Sequence, residues 1–455
     1  MVRWIRKPPD ATMETPSAPL PAASAAKSME YWEAKSQEAS DFPDDASEVW
    51  VAHRQGSAIA SVAGEPGLTL VELEKIALAN NPTLVQAVMR VQAARGKCAQ
   101  AGLYPNPVVG YVGDEMGAGG TLGQQGAFVG QEIVTAGKLR LRGAVAGHEV
   151  VQAEHAQQAQ CARVLNDVRS AWYEVLVAQR IVALSQELVH IGEQAVAAAG
   201  DLAAAREVSR VDLLQARIEA DSTELRLSDA RNQYQASWRR LAALLGVPDM
   251  KPAGLAGSLE GVGPELTWEQ SLQRLLAESP ELAEARAGVE RARCAVAQQC
   301  AERVPNIDVR TGVRYHHEVE DTVATVEVGL PLPIFNRNQG NIYRARSQQG
   351  AAEQEVRRVE LALRQRLAAA FQRYTTARED VRRYAAQILP NAKTSLELVQ
   401  AGYRKGEYDY LTLLLAQRTF FQVNLAYLEG LKQTHSGTVA IEGLLLSGGL
   451  ERSSE

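Results

Sequence analysis

His316, His317 and Glu318, followed closely by Glu320 and Asp321, gather imidazole and carboxylate groups into one short stretch. Those are ligands for divalent transition metals, so metal binding or metal-assisted chemistry is sought here first. The surrounding pattern argues against it. The preceding residues alternate apolar and polar, and neighbours on a strand point to opposite faces, which sends His316 and His317 apart. A solvated hairpin turn accounts for the cluster. The four cysteines, Cys98, Cys161, Cys294 and Cys300, form no C-x-x-C pair. They read as small packing residues rather than as metal ligands or disulfide partners. Gly117-Ala118-Gly119-Gly120 is followed by no phosphate-binding lysine and serves as turn chemistry. No zinc spacing and no nucleophile elbow is present. An enzyme therefore has no residues to stand on, and neither a cofactor nor a metal site is expected.

The elements around these residues are mostly helical in composition. Aromatic residues make up 5% of the 455, while Ala, Leu, Gln, Arg and Glu dominate, as in long helices and coiled coils. The net charge of -6 is spread over mixed acids and bases, so nucleic acid is not an expected partner. No apolar run approaches the roughly 18 residues of a membrane-spanning helix. Residues 1–67 are rich in Pro, Ala, Ser and charge and are expected to be disordered. They contain no apolar h-region of a secretory signal. The first cysteine is Cys98, so no lipid-bearing cysteine stands near the start.

The chain then says nearly the same thing twice. Leu68-Thr69-Leu70 with Asn81-Pro82 recurs as Leu266-Thr267-Trp268 with Ser279-Pro280. Tyr104-Pro105-Asn106-Pro107 recurs as Val304-Pro305-Asn306-Ile307, and Val211-Asp212-Leu213-Leu214 as Leu411-Thr412-Leu413-Leu414. The offsets lie between 198 and 200. We divide the chain into a first repeat at 68–250, a linker at 251–265, a second repeat at 266–446 and a flexible C-terminus at 447–455.

Each repeat opens with a helix, capped by Thr69 and Glu72 in the first copy and broken at Asn81-Pro82. Two strands follow, at about 107–134 and about 306–332. In the second copy Ile307, Val309, Thr311, Val313 and Tyr315 alternate with Asp308, Arg310, Gly312, Arg314 and His316. Ala324, Val326 and Val328 alternate with Thr325, Glu327 and Gly329. Such strands suit a transmembrane barrel, apolar outside and charged inside. An ordinary half-buried hairpin has the same pattern. Four strands cannot close a barrel, and open edges cannot face lipid, so a membrane reading requires several chains to pool their strands; three would supply twelve.

Very long helices come next. Residues 136–204 lack proline, and Leu165, Val168, Trp172 and Val175 step as a heptad seam. Asn338 to Gly402 is interrupted only by Pro390. About 65 residues reach about 100 Å, more than a compact domain holds. Each rod turns back, near Arg206 to Ser209 and near Gly402 to Asp409.

Taken together, these features resemble the TolC-type outer-membrane efflux proteins. The stretch Val328-Gly329-Leu330-Pro331-Leu332-Pro333-Ile334-Phe335-Asn336-Arg337-Asn338-Gln339-Gly340 looks like the heavy-metal, CzcC-like branch. Gln131 to Lys138 is its counterpart in the first copy. The resemblance implies a mainly α fold with a small β part. In it, a homotrimer builds a twelve-stranded β-barrel continued by an α-helical barrel of coiled-coil helices. It implies a passive exit duct in the outer membrane, reaching into the periplasm and carrying substrates such as heavy-metal cations. The implied partners are outer-membrane lipid, a periplasmic adaptor protein and an inner-membrane pump of the resistance-nodulation-division type. Asp308, Arg310, Arg314 and Glu327 become candidates for the barrel lumen. Arg206, Glu207, Ser209, Asp212, Gly406, Glu407, Asp409 and Thr412 become candidates for the channel tip and the adaptor contact. Three copies of Asp212, Glu207 and Glu407 there would form acidic rings favouring cations. The family tip carries a glycine and, six residues on, an aspartate. Arg206 replaces the first glycine, and Thr412 stands where the second aspartate is expected. A soluble trimeric coiled-coil scaffold is the alternative function; a metal-binding module using His316 and His317 is the second.

Overall fold

The computed structural model describes residues 67–451 apart from 118, 119, 121, 206, 207, 261, 262 and 264. Residues 1–66 of the segment expected to be disordered lie outside these, as do Arg206 and Glu207.

Local caps set the helix boundaries. Thr69 opens α1 (Leu70–Asn80) with a capping box: its N–H donates to Glu72 Oε2 at 2.9 Å, and the Glu72 N–H donates to Thr69 Oγ1 at 3.4 Å. Asn81 then caps α2 (Pro82–Ala101), accepting from the Thr83 N–H at 3.0 Å, with Pro82 at the first helical position. Its buried Nδ2 also donates to the Leu244 carbonyl at 2.8 Å, fixing the helix break against a distant helix end.

Strands β1 (Val108–Asp114) and β2 (Gln124–Ile133) form the first hairpin. Helices α3 (Lys138–Ala204) and α4 (Arg210–Leu244) complete the first repeat. The second repeat runs α5 (Trp268–Glu278), α6 (Pro280–Ala301), β3 (Ile307–His316), β4 (Asp321–Gly329), α7 (Gln339–Arg383), α8 (Leu389–Arg404) and α9 (Tyr410–Glu442). At 67 residues α3 spans about 100 Å.

Two expectations about these helices need correction. Pro390 does not interrupt the second rod. One π turn at Tyr384–Ile388 joins α7 to α8, and the Leu389 N–H bonds five residues back to the Tyr384 carbonyl. The wider turn carries the helix past a residue that has no N–H to give. In the α3 seam, Val164 is fully buried with Val168, Trp172 and Val175, and Leu165 is only half-buried. Turning the seam by one residue lets Val164, Val168, Ala171 and Val175 step by four, three and four.

The hairpins of the two repeats join into one antiparallel sheet of order β1-β2-β3-β4, with β2 and β3 paired across the repeats. Register places Val109, Val129, Thr311 and Val326 in one row and Tyr111, Ala127, Val313 and Ala324 in another. These rows make an apolar face, and Val109 and Val326 on it are 73% and 74% exposed. The opposite face carries glycine and charge. The outer edges of β1 and β4 have no strand partner among the described residues. No described helix is long and apolar enough to cross a membrane.

The helices pack around equivalent cores. In the first repeat Leu73, Val164, Val168, Trp172, Trp238 and Leu241 come together; in the second, Leu275, Leu282, Leu363, Leu367, Tyr374 and Ile441 do so. Val177, Leu184, Val381, Leu428 and Leu431 weld the two repeats. The 251–265 connection is pinned as well, since Leu68 pairs with Leu255 and the Leu259 carbonyl lies 3.1 Å from His435 Nε2. Of the 447–455 segment expected to be flexible, residues 452–455 lie outside the described residues, while the Gly448 N–H donates to Asp167 Oδ1 at 3.2 Å and the Gly449 N–H to Oδ2 at 2.5 Å.

Candidate functional site

The charged sheet face carries Asp308, Arg310, Arg314 and Glu327, because odd and even positions of a strand separate. His316 shares this face, as its alternation in β3 indicated, and register adds Asp114, Glu132 and Asp321, which alternation had not picked out. Arg314 Nη1 donates to Asp114 Oδ2 at 2.6 Å, two strands away. Arg310 lies opposite Glu327 in register and 5.7 Å above the Phe128 ring. Glu132 and Asp308 are direct cross-strand partners, a like-charge pairing that costs stability. Asp114, Glu132, Asp308, Asp321 and Glu327 outnumber Arg310 and Arg314, so this face is acidic.

Phe128 lies flat on that face because glycine makes room on both sides. A Cβ added at Gly110 would stand 2.5 Å from its Cζ, and one at Gly312 would stand 3.0 Å from its Cβ. The ring therefore covers the neighbouring strands instead of projecting from the wall. His316 ends β3, while the His317 ring sits edge-on to Tyr315 at 4.9 Å. No group of three or more possible metal ligands occurs among the described residues.

Where strand gives way to helix, the two repeats are locked together. Lys138, 2% exposed, donates from Nζ to Asn306 Oδ1 at 2.6 Å and stands 3.7 Å from Glu302. Asn306 Nδ2 donates to Glu132 Oε1 at 2.6 Å, Thr135 Oγ1 donates to the Pro305 carbonyl at 2.7 Å, and Arg142 pairs with Glu302 at 3.0 Å. A buried ammonium is tolerable only with such partners. This joint holds the turn after β2 against the connector that leads into β3.

At the other end the helical hairpins turn. Ser209 caps α4: its Oγ accepts from the Asp212 N–H at 3.2 Å, and Asp212 Oδ2 accepts from the Ser209 N–H at 3.0 Å. Asp409 caps α9, with Oδ1 accepting from the Thr412 N–H at 2.9 Å and from the Thr412 hydroxyl. The hydroxyl hydrogen bond of Thr412 holds the Asp409 carboxyl below its ordinary range. Thr412 thus marks no lost acid. The acid and the hydroxyl have exchanged places, and each helix start keeps one carboxylate near its positive dipole end. Gly406, at φ +73, closes α8 in a Schellman turn, in which its N–H donates to the Tyr403 carbonyl at 3.1 Å and the Glu407 N–H to Gly402 at 2.9 Å.

Behind the tips, Tyr403 and Tyr410 pack with Ala195, Ala199, Ala216 and Leu413. Burial pushes the Tyr410 phenol up to about 12, with Glu219 adding to the shift. Glu219, 8% exposed on α4, accepts from Arg418 of α9 at 2.7 Å and stands 3.3 Å from Arg226. Sequence spacing had not brought Glu219 and Arg418 together; their separation in the chain, 199 residues, is close to the repeat offset.

Comparison with known proteins matches this architecture. Over 292 residues the chain is 32% identical to the cobalt-zinc-cadmium resistance protein CzcC of Cupriavidus metallidurans, covering 63% of this chain and 70% of that protein. The solved structure of CusC aligns with a TM-score of 0.69 at 18% identity, over 85% of this chain and 96% of that one. The open-state MtrE outer-membrane channel of Neisseria gonorrhoeae aligns at 0.68 and 19% identity, over 85% and 90% of the two chains. The outer membrane efflux protein family matches at residues 73–247 and again at 271–445. With both copies of the family module in place, the chain belongs to the outer membrane efflux protein family.

Proposed function

We propose that this outer-membrane efflux protein is a passive exit duct made of three chains. The β4 edge of each sheet pairs with the β1 edge of the next, giving twelve strands around one lumen. The observation that carries this is the sheet itself: exposed apolar residues on one face, charge on the other, and two unpaired edges. Lipid tolerates neither open edges nor unpaired backbone groups, so the sheet must close with copies of itself. The apolar face meets outer-membrane lipid, and α3, α4, α7, α8 and α9 continue the duct into the periplasm. Membership of the family leaves the scaffold alternative without support.

The cargo we propose is divalent heavy-metal cations. The acidic excess on the lumen face supports this, as does likeness to a metal-resistance protein. The tips, with Ser209, Asp212, Gly406, Glu407, Asp409 and Thr412, face a periplasmic adaptor and a pump of the resistance-nodulation-division type. The capped carboxylates of Asp212 and Asp409, with Glu407 beside them, are the acidic groups we place at the tip, among the bases Arg210, Arg404 and Lys405. Light scattering in detergent should report a trimer, and planar bilayers should show cation-preferring conductance. Replacing Glu132 and Asp308 by Gln and Asn should reduce that preference, and Asp212→Ala with Glu407→Ala should change single-channel conductance. A stable monomer that passes no current would overturn the duct.

A further inference from the structure

We infer that the turn from β4 to α7 is a socket for a second copy of this chain, seating the neighbour's connector from α2 to β1. The inference rests on the trimer proposed above and assigns a role to the Leu330 to Gly340 stretch.

The seat is visible once within the chain. Where β2 pairs with β3, the turn after β2 grips the connector before β3, through Lys138, Thr135 and Arg142 on one side and Glu302, Pro305 and Asn306 on the other. Strand β4 offers the next free edge, and β1 offers the edge that a neighbouring copy would bring to it. Pairing them places the neighbour's connector, which holds Pro105 and Asn106 at the positions of Pro305 and Asn306, against the turn after β4. The helix caps agree with this equivalence. Gly137 at φ 64, ψ 25 and Asn338 at φ 58, ψ 20 occupy the same left-handed position before α3 and α7. The space is open: a hollow of about 570 Å³ is lined by Phe335, Asn336, Asn338, Gln339, Gly340 and Asn341.

Chemistry changes on both sides of the seat together. Matched on the caps, Lys138 and Arg142 become Gln339 and Tyr343, while Glu302 becomes Gly102 on the connector. No charge is stranded. The turn after β4 is longer than that after β2, and it adds Leu332, Ile334 and Phe335, the last 89% exposed. Opposite it, the connector replaces Arg303 and Val304 by Leu103 and Tyr104, the latter 69% exposed. Within a chain the joint is ionic; between chains it sets apolar side chains beside uncharged amides. Two unlike joints in alternation keep each repeat from pairing with the wrong neighbour, and a head-to-tail contact of this kind closes into a ring.

A benzophenone-bearing phenylalanine at position 335 tests the seat. The full-length chain is irradiated in outer membranes and in detergent, and cross-linked peptides are mapped by mass spectrometry. Expected are species of two and three chain masses, with the cross-link in Leu103–Pro107 of another subunit. Phe335→Asp should in parallel lower the trimer fraction at least tenfold at the dilution where the unmodified protein is half dissociated. If the trimer is intact but the probe captures only lipid or its own chain, the socket is wrong and the duct stands. If the unmodified protein is not a trimer, both fall.

Discussion

Removing the negative charge of Glu219 should loosen the closed tip. This carboxylate is the fixed point between α4 of the first repeat and α9 of the second, receiving Arg418 at 2.7 Å and Arg226 at 3.3 Å while itself 8% exposed. A hydrogen bond to a charged group contributes about 1.5–3 kcal/mol. Arg418 has a half-exposed side chain that rehydrates when released, which puts its share at the low end. With a smaller share from Arg226, Glu219→Gln should cost about 2 kcal/mol in each chain, roughly thirtyfold in the ratio of packed to parted hairpins. Gln keeps the shape and can still accept one hydrogen bond, so the effect reports charge rather than a void. In planar bilayers the variant should spend more time conducting and give a higher mean conductance at the same trimer content. Arg418→Gln should act in the same direction, and the double variant should fall short of the sum. A Glu219→Gln channel with the conductance and open fraction of the unmodified protein would refute the idea that this pair holds the repeats together at the tip.

Asn306→Ala should destabilise the protein by about 3 kcal/mol, since it takes the nearest partner from a buried ammonium, and the denaturant midpoint should fall accordingly. Gly110→Val should push Phe128 off the lumen wall and lower conductance while leaving the trimer intact, as read by single-channel recording and light scattering. Glu281 joins Arg163 of α3 and Arg366 of α7; burial pushes its carboxyl up, but the two guanidiniums outweigh that and hold it below its ordinary 4.5. Its stabilisation is therefore complete above pH 4.5 and is lost as pH falls through the lowered folded value. Unfolding followed from pH 7 to pH 3 should show a shallower acid slope in Glu281→Gln.

How far the sequence discloses this molecule depends on which contacts are local. The rods are legible because their continuity is a local property: residues 136–204 contain nothing that stops a helix. Pro390 misleads because its effect is decided by one hydrogen-bond shift, from four residues back to five, which composition does not encode. The β3 strand is legible from strict alternation, and so are Asp308, Arg310, Arg314 and Glu327. The first hairpin is not, because Gly110, Gly126 and Gly130 occupy its charged side and blank the polar signal there. Their reasons appear only in the pairing: Gly110 leaves room for Phe128, Gly126 for the Val313–Arg314 backbone and Gly130 for Arg310. Glu132, Asn306 and Lys138 meet through pairing between the repeats, a register that no single segment carries.

The tips show what duplication preserves. Positions 209 and 212 correspond to 409 and 412 at an offset of 200, and the side chains there are Ser and Asp in one copy, Asp and Thr in the other. Read residue by residue, the second copy has lost its aspartate. Read by what a helix start requires, nothing is lost. An N-cap needs an acceptor for the free N–H groups, and the dipole favours a negative charge within the first turn. Ser209 accepts while Asp212 supplies the charge; Asp409 does both while Thr412 steadies it. The exchange shifts the carboxylate by three residues, nearly one turn, so in the proposed trimer the two hairpins would present their charge at different heights around the opening. A ring of six tips built this way alternates in the position of its negative groups, and Asp212→Ser combined with Ser209→Asp would make all six alike. Such a channel should keep its stability and change its conductance, which separates the capping role of these acids from their role in the pore.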